Sequence, residues 1–128
     1  MKKIILFLIF LPCITFSQQW YPMDVGVSNT IGNCWVGDIT SYNSKIIIGG
    51  HFKSSGSNTL NSVAQWDGFH WQPLGIGVWD QGASDLTGYA FRLFNYNSRL
   101  YCGGVFLGAG GSFVNDASHY ANLSLIHI

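Results

Sequence analysis

Histidine, aspartate and tryptophan are the side chains with the most chemistry to offer in this chain of 128 residues. The histidines are His51, His70, His119 and His127. No HxH or HxxxH spacing joins them, and no paired Cys/His spacing of the zinc kind occurs. They therefore read as surface or internally satisfied histidines. Asp80 and Asp85 flank Gln81-Gly82, but that loop lacks the alternating oxygen ligands of a calcium site. The chain has no Glu, and its scattered Asp residues give no facing pair of carboxylates for glycoside hydrolysis. No GxSxG elbow is present. The glycine pairs Gly49-Gly50 and Gly103-Gly104 are followed by neither Lys-Ser/Thr nor a helical pattern, so a phosphate cradle is unsupported. No catalytic residue, metal ligand or cofactor is assigned.

Aromatic residues offer more. Trp79 stands beside Asp80, with Tyr89 ten positions further on. Rings of this kind stack on a sugar or a peptide. These three form the nominated ligand site. Trp35 lies in a similar joining segment. Trp20, Trp66 and Trp71 recur at repeat positions and read as packing residues, given the apolar area each ring can bury.

Composition bounds the rest. Apolar residues make up 48%, aromatic residues 16% and charged residues 9%. Such a chain is not disordered. Sixteen Gly and many aromatic residues point to an all-β protein. Lys2 and Lys3 belong to an apparent leader, which leaves four basic against six acidic side chains, near −2. No clustered positive charge exists to grip nucleic acid or an anionic membrane.

The elements that must position these residues come in two copies. YNSKIIIGGHF at 42–52 recurs as YNSRLYCGGVF at 96–106, an offset of 54. WYPMDVGV at 20–27 recurs as WQPLGIGV at 71–78, and NSVAQWDG at 61–68 is echoed by NDASHYAN at 115–122. A period near 50 residues suits a propeller blade. One unit is expected to hold four strands, near 36–42, 45–50, 62–67 and 69–74. Asn43-Ser44 turns the first hairpin, and Asp67-Gly68 the second. The second unit supplies 90–96, 99–104 and about 116–121. Asn97-Ser98 turns its first hairpin.

At these residues the chain resembles the kelch repeat. Gly49-Gly50 and Gly103-Gly104 close a second strand, Trp66-Asp67 with Gly68 sits in the third, and Trp71 in the fourth. The second unit departs, with Tyr120-Ala121 in place of Trp-Asp. The phrasing is also similar to repeat proteins exported by Bacteroidetes-type bacteria. The resemblance implies β-propeller blades, each a four-stranded antiparallel sheet, in an incomplete ring. A complete ring needs about four to eight blades.

Residues 1–17, MKKIILFLIFLPCITFS, have the layout of a secretory signal peptide: a basic start, an apolar run, and Thr15 and Ser17 before the cut. The segment is short for a membrane span. Export leaves Cys34 and Cys102 after Cys13 is removed, enough for one disulfide in an oxidising compartment, with two unpaired thiols the alternative. Residues 18–27 read as a lone outer strand of a closing blade, 28–78 as the first blade, and 79–122 as a second blade that stops before its fourth strand. LSLIHI at 123–128 breaks the repeat and is similar to a translated sequencing-library adaptor, so it reads as a non-native tail. The expected protein is secreted, periplasmic or on the outer cell surface. It acts as a binding or scaffold module for a glycan or protein ligand, completed by further blades of the same polypeptide, with no nucleic acid partner and no membrane contact beyond the leader. The alternative is a propeller-based carbohydrate-active enzyme with its catalytic residues in other blades; the residues here lean against an enzyme.

Overall fold

The computed structural model describes residues 19–80, 87–110, 112–113 and 122–126. The leader, Asp85, His119, His127 and the strand expected at 116–121 lie outside the described residues. Within them the chain is all-β, built of antiparallel sheets, with no helix.

The first sheet is the four-stranded meander expected from the sequence. It runs β1 (Trp35–Tyr42), β2 (Lys45–His51), β5 (Val63–Trp66), β6 (Trp71–Pro73) in spatial order. A small ribbon of β3 (Ser54–Ser55) and β4 (Asn58–Thr59) fills the connection between β2 and β5. The second sheet contains β8 (Tyr89–Tyr96), β9 (Arg99–Val105) and β12 (Asn122–Ile126) in the order β12-β9-β8. Its third strand thus falls at 122–126, so most of the segment read as a non-native tail pairs with β9. The Leu-Ser-Leu alternation there has the period of a strand. Between the two sheets, β7 (Val78–Trp79) joins β10 (Gly108–Ala109) and β11 (Ser112–Phe113) in a third, three-stranded sheet that the sequence reading did not foresee.

The two main sheets are built alike down to their irregularities. Every pair of the β1–β2 ladder, from Trp35↔His51 to Tyr42↔Lys45, reappears 54 positions later from Tyr89↔Val105 to Tyr96↔Arg99. Both ladders shift register at the same place, between Val36 and Asp38 and between Ala90 and Arg92. The bulged residue bends the strand, and the opposing backbone must come close. That is the work of the glycine pair. A Cβ on Gly50 would land on the carbonyl oxygen of Trp35, and one on Gly104 on that of Tyr89. The hairpin turns also match: Asn43 and Ser44 have φ of 47° and 60°, Asn97 and Ser98 of 47° and 58°. Two positive values define a type I′ turn, which matches the twist of the strands it joins. A third Asn-Ser pair, Asn61-Ser62, takes the same left-handed conformation.

Asp67-Gly68 makes a wider turn than a two-residue hairpin. Trp66 pairs directly with Trp71, so residues 67–70 form the loop and the fourth strand starts at Trp71 instead of Phe69. Asp67 is the cause. One carboxylate oxygen accepts the backbone N–H of Phe69 at 2.8 Å and of His70 at 2.7 Å, and the other accepts the Gln72 amide at 2.9 Å. Segment 20–27, expected as a lone outer strand, pairs in no ladder among the described residues. It still follows its repeat partner in backbone: Asp24 and Gly26 have φ of 59° and 75°, where Gly75 and Gly77 have 60° and 74°.

The core has two parts. Ile47, Val63, Leu74 and Val78 meet Ala90, Leu93, Leu100, Cys102, Phe106 and Ala109 between the two sheets. On the opposite face of the first sheet, Ile48, Phe52, Leu60, Ala64 and Trp71 pack together, flanked by Met23, Val27 and Trp66. Ile47 and Ile48 are both buried because strand side chains alternate and both faces of β2 are covered there.

Candidate functional site

The starts of β1 and β8 and the end of β2 come together at one end of the paired sheets. There the inner strands bring four rings into one group: Trp35, His51, Tyr89 and Phe91. The Trp35 and Phe91 rings are stacked, with centroids 5.6 Å apart and planes within 4°. Tyr89 stacks on His51 at 4.4 Å and lies 6.3 Å from Trp35. His51 is buried beneath the others. Its Nδ1 lies 2.9 Å from the carbonyl oxygen of Asn33, and its Nε2 lies 3.3 Å from the Asn29 amide. Nδ1 is placed to donate to the Asn33 carbonyl, and the Asn29 amide lies within reach of both ring nitrogens. Phe91 occupies the bulge, where the first module has Gly37; a Cβ there would press into the Trp35 ring at 3.2 Å or closer. The bulge thus carries an exposed aromatic ring in one module and, as glycine, makes room for the Trp35 ring in the other. Trp35 and Tyr89 are half-buried, and Phe91 is exposed. A part-exposed aromatic platform suits stacking and apolar contact.

The nominated residues are divided by the structure. Tyr89 belongs to this platform. Trp79 is in β7, with its ring laid over Gly108, where a Cβ would enter the indole. Asp80 follows directly at the end of that strand. Trp35, His51 and Phe91 were not nominated from sequence. Trp35 and Tyr89 occupy the same repeat position, and that equivalence was the signal available. The repeat residues hold structural places: Trp66 and Trp71 pack at 5.2 Å with rings tilted by 59°, and Trp71 donates its indole N–H to the Met23 carbonyl. Gly68 takes φ of 108° in its loop. At the opposite end of the strands the Asn-Ser hairpins frame a shallow cleft of about 410 Å³, lined by Ser41, Tyr42, Asn43, Ser44, Asn95 and Ser98.

Side chains also tie the inner strands across the module boundary. Asp38 accepts the backbone N–H of Leu93 at 2.9 Å, Tyr42 donates to the carbonyl of Ser98 at 3.2 Å, and the Asn95 amide donates to the carbonyl of Ser41. None of these was singled out from the sequence, because nothing local marks a side chain that reaches another sheet.

Among the described residues no group of three or more His, Cys, Asp or Glu is placed to hold a metal. No helix among them is long and apolar enough to cross a membrane. Cys34 and Cys102 are both free thiols, the first exposed and the second buried. Burial pushes the Cys102 thiol up to about 12. Since the thiolate is the reactive form, a thiol reagent modifies Cys34 in the native protein and reaches Cys102 only on unfolding. Mass-resolved labelling checks this: one fast modification at Cys34 is expected, and equal rates at both sites would contradict the fold around β9.

The three hydrogen bonds on Asp67, led by the His70 and Phe69 N–H groups, hold its carboxyl down at about 2 from 3.8. A depressed carboxyl stabilises the fold above its ordinary range, and that contribution is lost as pH falls from about 4 towards 2. Asp67 is fully exposed, so the contribution is small. Urea midpoints measured against pH should fall more steeply for the wild type than for Asp67→Asn across that window.

Searches against protein-family models, curated proteins and solved structures find no match to this chain.

Proposed function

We propose that the chain is part of an exported, kelch-like β-propeller, secreted, periplasmic or on the outer cell surface, and that it serves as a binding or scaffold module. The single observation that carries this reading is the stacked platform of Trp35, Phe91 and Tyr89, assembled from two modules with the same ladder register. Repeated sheets set face to face supply rigid strand starts, and the joins between them supply variable contact residues. The ligand class is a glycan or a protein segment with an exposed apolar face. Trp79, in β7, and Asp80 directly after it precede β8 in the chain.

A glycan array, followed by titration of the best hit using tryptophan fluorescence, tests it. Phe91→Ala is expected to weaken binding at least about tenfold, the effect of losing roughly 1.4 kcal/mol of stacking. Trp79→Ala measures whether the site reaches β7. Binding that neither substitution changes, or no glycan or peptide binding at all, overturns the reading.

A further inference from the structure

We propose that the cleft between the two Asn-Ser hairpins is a second binding site, and that it takes a neutral sugar unit. It lies between the two modules, at the opposite end of the strands from the aromatic platform, and stands on different residues. Serine at the second turn position is the feature that points to it. A type I′ turn has positive φ at both central residues, and glycine is the ordinary choice for the second. This chain places serine there in both hairpins, with φ of 60° at Ser44 and 58° at Ser98. Asparagine visits the left-handed region readily, whereas serine is strained in it. Such strain concentrates where function needs the side chain. Ser62 shows one such use: its φ is 64°, and its buried hydroxyl donates to the carbonyl of Gly88. Ser44 and Ser98 hold the same conformation with their side chains exposed, and both line the cleft.

The chemistry of the lining selects the ligand. All six lining residues are uncharged, and they present hydroxyls and amides that both donate and accept, as a sugar's own hydroxyls do. Tyr42, half-buried, adds a ring with a polar tip. Lys45 and Arg99 come directly after the two turns without lining the cleft, and Lys45 is held by the Gln65 side chain at 3.1 Å. The volume of about 410 Å³ falls within the roughly 300–1,000 Å³ of small-molecule sites. The walls come from two modules tied at this point, Tyr42 to the Ser98 carbonyl and Asn95 to that of Ser41. A cleft formed in advance loses little order on binding.

The whole chain is titrated with the methyl glycosides of glucose, galactose, mannose and N-acetylglucosamine, read by the amide resonances of Ser44 and Ser98. A ligand this small in an open cleft is expected to bind with a Kd of about 1 mM. The double variant Ser44→Gly/Ser98→Gly removes both hydroxyls and gives each turn its preferred residue. It is expected to keep or raise the urea midpoint while weakening binding at least about tenfold. Serines that serve only the turn would leave binding unchanged, and that result overturns the proposal. So does a set of glycosides none of which moves the two resonances, or shifts confined to Tyr89 and Phe91, which place the sugar on the platform. Tighter binding of methyl glucuronide also overturns it, by marking an anion site at Lys45 and Arg99.

Discussion

Phe52→Ala is expected to lower the stability of the fold by about 3–5 kcal/mol, the range for emptying a buried aromatic site. Phe52 is fully buried at the point where β2 leaves the first sheet, within the cluster of Ile48, Leu60, Ala64 and Trp71. Its backbone carbonyl also accepts the N–H of Ser62, so the ring anchors the connection that returns to β5. Ile48, Ala64 and Trp71 around it stand in strands locked by ladders and cannot collapse far into the space. A small domain has about 0.05–0.15 kcal/mol per residue of net stability, so the loss is a large share of the total. Phe106, at the same repeat position and also buried, should give a similar loss on truncation. Urea denaturation followed by tryptophan fluorescence measures both. A loss under about 1 kcal/mol at Phe52 would show that the site repacks, contrary to the cavity argument.

Gly104→Ala should be nearly as damaging, with a cost at the upper end of the overpacking range, about 3 kcal/mol. The added methyl would strike the backbone of Tyr89 and approach the Cα of Ala90 at 3.2 Å. Ala90 is held in the ladder opposite Gly104, so neither partner can retreat. Gly50→Ala meets the matching obstacle at Trp35 and Val36 and should cost a similar amount. Gly49→Ala is the control. Its new methyl would meet no backbone atom: the nearest groups are the Leu93 side chain at 3.1 Å, which can move by a few tenths of an ångström, and the Ala90 Cβ at 3.2 Å. Gly68→Ala has open space around it and suffers only from its φ of 108°. Equal costs at Gly49 and Gly50 would show that the bulge, and with it the shared register of the two modules, is misplaced.

The first hairpin of each module was legible almost to the residue. Tyr-Asn-Ser followed by an apolar run and Gly-Gly contains its own turn, its own alternation and its own stop, and all three are local signals. β5 and β6 were legible for the same reason. What the residues did not reveal lies between modules. The small sheet of β7, β10 and β11 pairs Trp79 with Gly108, a partner far along the chain, and two-residue strands carry no periodicity to read. The width of the loop at 67–70 turned on which N–H groups one carboxylate would take. The aromatic platform was half visible: Tyr89 was nominated, but its ring neighbours Trp35, His51 and Phe91 come from three strands in two sheets. Only a correct alignment of both bulges would have placed Phe91 beside Trp35.

The ties between β1 and β8 have a consequence for the chain's behaviour in crowded solution. Each strand is the inner margin of its own sheet, where free N–H and C=O groups would invite a foreign strand. Asp38 and Asn95 occupy two of those groups with side-chain atoms from the neighbouring sheet, and Tyr42 ties to the turn after β8. The margins thus guard one another, and amyloid-like templating along them is blocked for as long as the two sheets stay side by side.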